Sequence, residues 1–249
     1  MEIREMTAIV TGAARGMGRA FAEELAGRGA TVAICDVNKE ELEKTAKEIG
    51  GRFKARVIAE AVDVSNEEQV KRFVARVERE AGRVDILVNN AAIHPLHMIE
   101  EIAVDEWDKV LAVNLRSAFL FCRAVLPGMR KRKFGRIISI ASEAGKNGGT
   151  IAAPHYSASK GAILGFTRNL ARAVSVDGVT VNAIAPGRIA TAMAGQVSAE
   201  ANQIYIDRSA VKRLGKPEDV AWAVAFLADE RSSFVTGETL NINGGTVMD

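Results

Sequence analysis

The chain is poor in several residue types that mark whole classes of protein. Its 249 residues include 2 cysteines, 5 prolines and 5% aromatics, and 33 Lys and Arg nearly balance 31 Asp and Glu, for a net charge of +2. Two thiols, Cys35 and Cys122, cannot build a disulfide framework and do not make a metal site by themselves. The interspersed, almost balanced charges give no phosphate-tracking field, so nucleic acid is not an expected partner. No apolar run approaches bilayer-spanning length, and the charged opening from Met1 to Met6 does not have the form of a signal peptide. A cytoplasmic protein without membrane contact is expected. There is no low-complexity segment, linker or solenoid-length repeat to divide the chain. What remains is a single domain over residues 1–249, 48% apolar and long enough to bury a large core.

What is present is a repeated alternation of strand and helix. Residues 7–11 form a short apolar run ending in glycines, and Met17, Ala20, Phe21 and Leu25 follow at helical spacing until Gly29. Residues 31–35 lead to Asn38 and Glu41, spaced as an N-cap and its partner for a charged helix to Ile49. Residues 57–64 read as a strand, Ser65 and Glu68 as a capping box, and Val70, Phe73, Val74 and Val77 as one helical stripe. Further strands are expected at 85–89, 136–141, 179–185 and 239–243, with helices around 107–129, 156–174 and 217–227 and a less regular stretch at 190–213. Nearly continuous apolar strands in repeated units imply a parallel sheet covered by helices on both faces. Periodicity alone leaves an open doubly wound sheet and a (β/α)8 barrel both available.

The turn Thr11-Gly12-Ala13-Ala14-Arg15-Gly16-Met17-Gly18 favours the open sheet. It lies between the first strand and the first helix, where a ligand phosphate meets backbone N–H groups and the positive helix end. Its spacing is G-x-x-x-G-x-G, which differs from the general dinucleotide fingerprint G-x-G-x-x-G. Asp36 follows the second strand, 18 residues beyond Gly18. A carboxylate there accepts hydrogen bonds from ribose hydroxyls and repels a 2′-phosphate, so NAD(H) is favoured over NADP(H). Arg15 is the counter-signal that leaves NADP(H) open.

Tyr156 and Lys160 form Tyr-x-x-x-Lys, which places both side chains on one face of a helix. An ammonium beside a phenol favours phenolate, and about 4 kcal/mol would bring a free phenol near neutrality.

These motifs together resemble the short-chain dehydrogenase/reductase family over nearly the whole chain. The resemblance rests on the glycine turn, Asp63-Val64, Asn89-Asn90-Ala91, Asn114, Ser142, Tyr156-x-x-x-Lys160, Asn182, Pro186-Gly187 and Asn241-Ile242-Asn243-Gly244-Gly245, in that order. It implies a Rossmann-type, doubly wound, seven-stranded parallel α/β sheet, a homotetramer and nicotinamide-dependent chemistry on alcohols and carbonyls. Tyr156 would be the general acid/base and Ser142 the partner of the substrate oxygen. Lys160 would tune the phenol and hold the nicotinamide ribose, and Asn114 would anchor a water beyond it. For the cofactor, the resemblance implies contacts from Gly12, Arg15, Gly16, Met17 and Gly18 at the phosphates and Asp36 at the ribose. Asp63 and Val64 would flank the adenine, and Asn90 and Ala91 the adjoining ribose. Tyr156 and Lys160, with Pro186, Gly187, Ile189 and Thr191, would surround the nicotinamide. The chain departs from the family in carrying Ala92 where glycine is common, and in a slightly longer interval from Ser142 to Tyr156.

Around the substrate, His94, Glu143 and His155 are candidate contacts, and residues 190–213 resemble a substrate lid containing Met193, Gln196, Ile204 and Tyr205. The three histidines lack metal-ligand spacing, so no metal is expected. The leading expectation is an NAD-dependent dehydrogenase of a small secondary alcohol or its ketone. A 3-oxoacyl carrier-protein reductase is the alternative, suggested by Arg213-Leu-Gly-Lys-Pro-Glu-Asp219. A silent NAD-binding regulatory protein is the third reading, opposed by the intact Ser142, Tyr156, Lys160 and Asn114.

Overall fold

The computed structural model describes residues 2–149, 152–191 and 198–248. Strand β1 (Thr7–Thr11) leads into α1 (Gly16–Gly27), and β2 (Thr31–Asp36) into α2 (Lys39–Phe53). The pattern repeats in β3 (Val57–Ala61) with α3 (Glu67–Ala81), then in β4 (Ile86–Asn89) with α4 (Val104–Leu111) and α5 (Ser117–Arg132). The remaining elements are β5 (Gly135–Ile140), the one-turn α6 (Ala144–Asn147), α7 (Pro154–Val174), β6 (Val179–Pro186), α8 (Ala199–Arg208), α9 (Pro217–Ala228) and β7 (Thr239–Ile242).

All seven strands pair in parallel in the order β3-β2-β1-β4-β5-β6-β7. This is the open, doubly wound sheet, and the barrel is excluded. The order reverses between β1 and β4, so the carboxyl ends of those strands diverge and leave a crevice there. Alternation along each strand divides the apolar residues between two cores. Ala8, Val10, Val32 and Ile34 pack with α1, α2 and α9, while Ile9, Ala33 and Cys35 pack with α3, α5 and α7. A two-residue side-chain period therefore fills both layers from the same strand.

Side-chain caps place the starts of α2, α3 and α8. Asn38 accepts the Glu41 N–H at 3.1 Å, as its spacing predicts, but α2 continues through Gly50 and Gly51 to Phe53. The start of α3 differs from expectation. Asn66 is the cap, accepting the Gln69 N–H at 3.1 Å, while the Ser65 hydroxyl donates to Asp63 Oδ1 at 2.7 Å. Both residues are good caps, and the one whose oxygen reaches the exposed N–H groups wins. Strand β3 accordingly ends at Ala61, short of residue 64.

The stretch Val104–Arg132 is continuously helical, broadened by a π turn at Ala112–Arg116 and carrying Pro127 inside α5. By length and composition it is apolar enough to cross a bilayer, which corrects the expectation of no such run; half of its apolar window is buried within this fold. Phe121 of α5 is fully buried against Phe73, whereas Phe119 is exposed.

Candidate active site

The glycine turn is built by backbone contacts that exclude side chains. A Cβ on Gly18 would lie 2.1 Å from the Gly12 carbonyl oxygen and 2.6 Å from Asn90 Nδ2. One on Gly12, whose φ is +65°, would lie 2.8 Å from Ala91 Cα. Asn90 locks the turn: its amide donates to the carbonyls of Thr11 at 2.8 Å and Gly12 at 3.1 Å. Thr11 Oγ1 in turn accepts the N–H groups of Asn90 and Ala91, both at 3.0 Å. Both side-chain N–H groups of Asn90 are thus spent on the turn. Ala92 is not among the residues with positive φ, so its methyl group imposes no backbone strain.

The carboxylate of Asp36 is oriented by the same turn. Its Oδ2 accepts the Ala14 N–H at 3.1 Å and its Oδ1 the Asn38 N–H at 3.0 Å. Arg15 is exposed, and no side chain caps the first N–H groups of α1. Free amides at a helix start, a cradle that any Cβ would fill and a fixed carboxylate at the end of β2 fit a dinucleotide. At the far side Asp63 is tied to Ser65, and Val64 is buried.

Two elements bring Ser142, Tyr156 and Lys160 together. Ser142 follows β5, and Tyr156 and Lys160 sit on the first turns of α7. Ser142 Oγ accepts the Ala144 N–H at 3.1 Å and hydrogen-bonds the Tyr156 phenol. Lys160 Nζ lies 5.7 Å from the Tyr156 ring centre and donates to the Ile140 carbonyl at 2.7 Å. Burial pulls the Lys160 ammonium down to about 8. It also pushes the Tyr156 phenol up to about 12, with the Ser142 hydrogen bond pulling down and the Glu143 carboxylate pushing up. Within the chain alone, desolvation of the phenol outweighs the hydrogen bond from Ser142.

Asn114 lies on the π turn. Its amide donates to the Ile93 carbonyl at 3.0 Å and Ser159 Oγ at 3.1 Å, and its oxygen accepts the Ile93 N–H at 2.8 Å. Both its N–H groups are used to tie the loop after β4 to α7.

A cavity of about 400 Å³ opens over the phenol, and its lining includes Met17, His94, Ser142, Glu143, Tyr156, Pro186, Gly187, Ile189, Thr191 and Tyr205. Met17 of the turn, the β6 end, Ser142 and Tyr156 thus share one cleft. His94 stacks on Tyr156 with ring centres 4.0 Å apart, and burial pulls its imidazole down to about 4. His155 does not line the cavity. It is fully buried and its Nε2 contacts Glu106 Oε1 at 2.9 Å, so the substrate contact expected of it is corrected.

The lid expected over 190–213 contains α8; Met193 and Gln196 lie outside the described residues. Tyr205 anchors α8 to the cleft floor. Its hydroxyl donates to Glu143 Oε2 at 3.1 Å, accepts the Arg188 N–H at 2.9 Å and lies 3.3 Å from Thr246 Oγ1. A Cβ on Gly187 would sit 2.0 Å from that hydroxyl, which explains the glycine after Pro186. Thr246 and Glu106 carried no sequence signal, because their partners lie 103 and 49 residues away.

A family model described as enoyl-(acyl carrier protein) reductase matches residues 12–247. The chain is a short-chain dehydrogenase/reductase. As a member it is a nicotinamide-dependent oxidoreductase acting on CH–OH groups. This short-chain dehydrogenase/reductase is 39% identical to a 3-oxoacyl-[acyl-carrier-protein] reductase of Vibrio cholerae over 248 residues, 100% of both chains. It is 36% identical to the protein of the same name from Thermotoga maritima, again over 100% of both. Among solved structures, a 3-oxoacyl-[acyl-carrier protein] reductase of Brucella melitensis with bound NAD superimposes with a TM-score of 0.91 at 40% identity, covering 98% of this chain and 92% of the other.

Proposed function

We propose that the chain reduces a 3-oxoacyl group to the 3-hydroxyacyl level with NADH. The observation that carries this reading is the Ser142–Tyr156–Lys160 cluster, with Ser142 and Tyr156 lining the cavity and Lys160 Nζ beside the phenol ring. Reduction needs a proton donor, and burial favours the neutral, proton-bearing form of the phenol. When bound, the nicotinamide would supply the hydride. Ser142 and Tyr156 would hold the carbonyl oxygen between them, and Tyr156 would give its proton to the alkoxide as charge develops there. Lys160, held by the Ile140 carbonyl, sets its ammonium 5.7 Å from the centre of the Tyr156 ring. Asp36 supports NADH over NADPH, since a fixed carboxylate repels a 2′-phosphate. The whole-length relatives named for 3-oxoacyl reduction favour this substrate over the simple secondary alcohol expected first.

A small hydroxylated ketone is a second reading, and Glu143 favours it. Its carboxylate lines the cavity beside Ser142, a polar wall that suits a hydroxyl donor better than an acyl chain. Stopped reactions with NADH or NADPH on acetoacetyl-coenzyme A and on α-hydroxyketones separate the two. A clear NADH-linked rate on the thioester is expected; turnover of hydroxyketones alone would reverse the assignment.

The same reading includes self-association through the β7 edge. Trp222 and Phe226 of α9 stack at 6.0 Å with Trp222 exposed, and Phe234 is fully exposed. A second copy of the chain is the occupant proposed, and the solution mass tests whether four copies assemble.

A further inference from the structure

We infer that Glu106 and His155 form a positioning pair that fixes the backbone of Tyr156. The inference rests on Tyr156 being the proton donor proposed above. Helix α7 starts without an ordinary cap: Ala153 has no side-chain oxygen, and Pro154 has no N–H. The Tyr156 N–H is therefore one of the unpaired donors of that helix end. The ring of His155 takes it, with Nδ1 accepting at 2.9 Å. That bond requires Nδ1 to carry no proton, so Nε2 bears the hydrogen and donates it to Glu106 Oε1, also at 2.9 Å. His155 is 0% exposed, and among the described residues Glu106 is the side-chain partner of its Nε2.

The carboxylate of Glu106 has a second role. His97, exposed on the loop after β4, contacts both its oxygens at 2.9 Å. That loop also carries His94, whose ring lies against the Tyr156 ring. Glu106 thus joins the segment that covers one face of the phenol to the residue that holds its backbone. The other end of the Tyr156 peptide is held in parallel: its carbonyl accepts from Ser159 Oγ at 2.7 Å, and Ser159 accepts from Asn114. Glu106 and Asn114 both belong to the continuous stretch Val104–Arg132, so one long helical unit grips the tyrosine at its N–H and its C=O. Sub-ångström placement of a proton donor matters for rate, and a loosened backbone would misplace the phenol without touching the cofactor turn.

The test compares Glu106→Ala, Glu106→Gln and His155→Phe with the wild type, reading NADH reduction of acetoacetyl-coenzyme A per NADH-binding site. Glu106→Ala and His155→Phe are expected to lower kcat about 10- to 100-fold with the NADH Kd within about twofold. Glu106→Gln should recover most of the rate, because its amide oxygen still accepts from Nε2. The chain has 2 tyrosines, so ¹⁵N-tyrosine labelling gives two amide signals. Exchange at Tyr156 should quicken in Glu106→Ala while Tyr205 is unchanged, a readout that serves even if His155→Phe does not fold. Unchanged kcat per site with a still-protected Tyr156 amide, or equal rate losses in the Gln and Ala variants, overturns the pair. A wild type inactive on the thioester, or a Tyr156→Phe that keeps its rate, overturns the earlier reading instead, and the amide exchange then decides the pair alone.

Discussion

The two ends of the cleft are made of different materials. The nucleotide end is backbone: glycines at 12 and 18, carbonyls locked by Asn90 and amides aimed outward, with Asp36 its one charged side chain held in place. The substrate end is side chain: Ser142, Tyr156 and Lys160 meet from two elements, with His94, Glu143 and Tyr205 around them. A backbone site is intolerant of added volume but indifferent to pH. A side-chain site accepts changes of shape but depends on the protonation of buried groups. The first therefore fails by steric clash and the second by loss of chemistry.

Tyr156→Phe sharpens this contrast most. It removes the proton donor and leaves the turn intact, so kcat should fall by about 10²- to 10⁴-fold while NADH affinity, read by nicotinamide fluorescence, changes less than about twofold. Retention of most of the rate would break the assignment of chemistry to this end.

Lys160→Met tests the pH dependence of the substrate end. Burial lowers the folded-state value to about 8 from 10.5, so the folded chain binds this proton more weakly than the unfolded one. The penalty is complete below pH 8, shrinks as pH rises and is gone above 10.5. The variant should gain about 3 kcal/mol over wild type at pH 7 and nothing near pH 11, less the bond Lys160 makes to Ile140. Denaturant unfolding at both pH values measures it. A pH-independent difference would remove the burial argument.

Gly18→Ala attacks the nucleotide end by volume. Its methyl group meets a carbonyl oxygen at 2.1 Å, so the turn must shift, costing about 1–3 kcal/mol together with most NADH affinity. Gly51→Ala is the matched control. It has nothing within 4 Å and lies exposed in α2, and should add about 0.5–1 kcal/mol of stability by thermal melting. Between these in effect, Asp36→Ala should shift the ratio of NADH to NADPH efficiency toward NADPH by about tenfold, roughly 1.4 kcal/mol. An unchanged ratio would show that the carboxylate does not select the cofactor.

The nucleotide end was legible in the sequence because its determinants are adjacent: strand, glycines and helix follow within eight residues of Thr11, and Asp36 closes the next strand. Much of the substrate end was legible too, since Tyr156 and Lys160 are one helical turn apart. What was misread there depends on contacts across the chain. His155 stands next to Tyr156 in sequence and so suggests the cleft, yet its ring turns into the core, where Glu106 receives it from 49 residues away.

The sequence by itself determined the alternation of strands and helices, the two apolar layers, the glycine turn and the identity of the polar groups at the strand ends. These follow from side-chain period and local sterics, which act over a few residues. Only the tertiary structure decided strand order, which polar groups pair with one another and which are left to face a ligand. Burial and hydrogen-bond partners are properties of the packed whole, and they set whether a histidine 0% exposed holds a backbone or a half-buried one lies against the phenol.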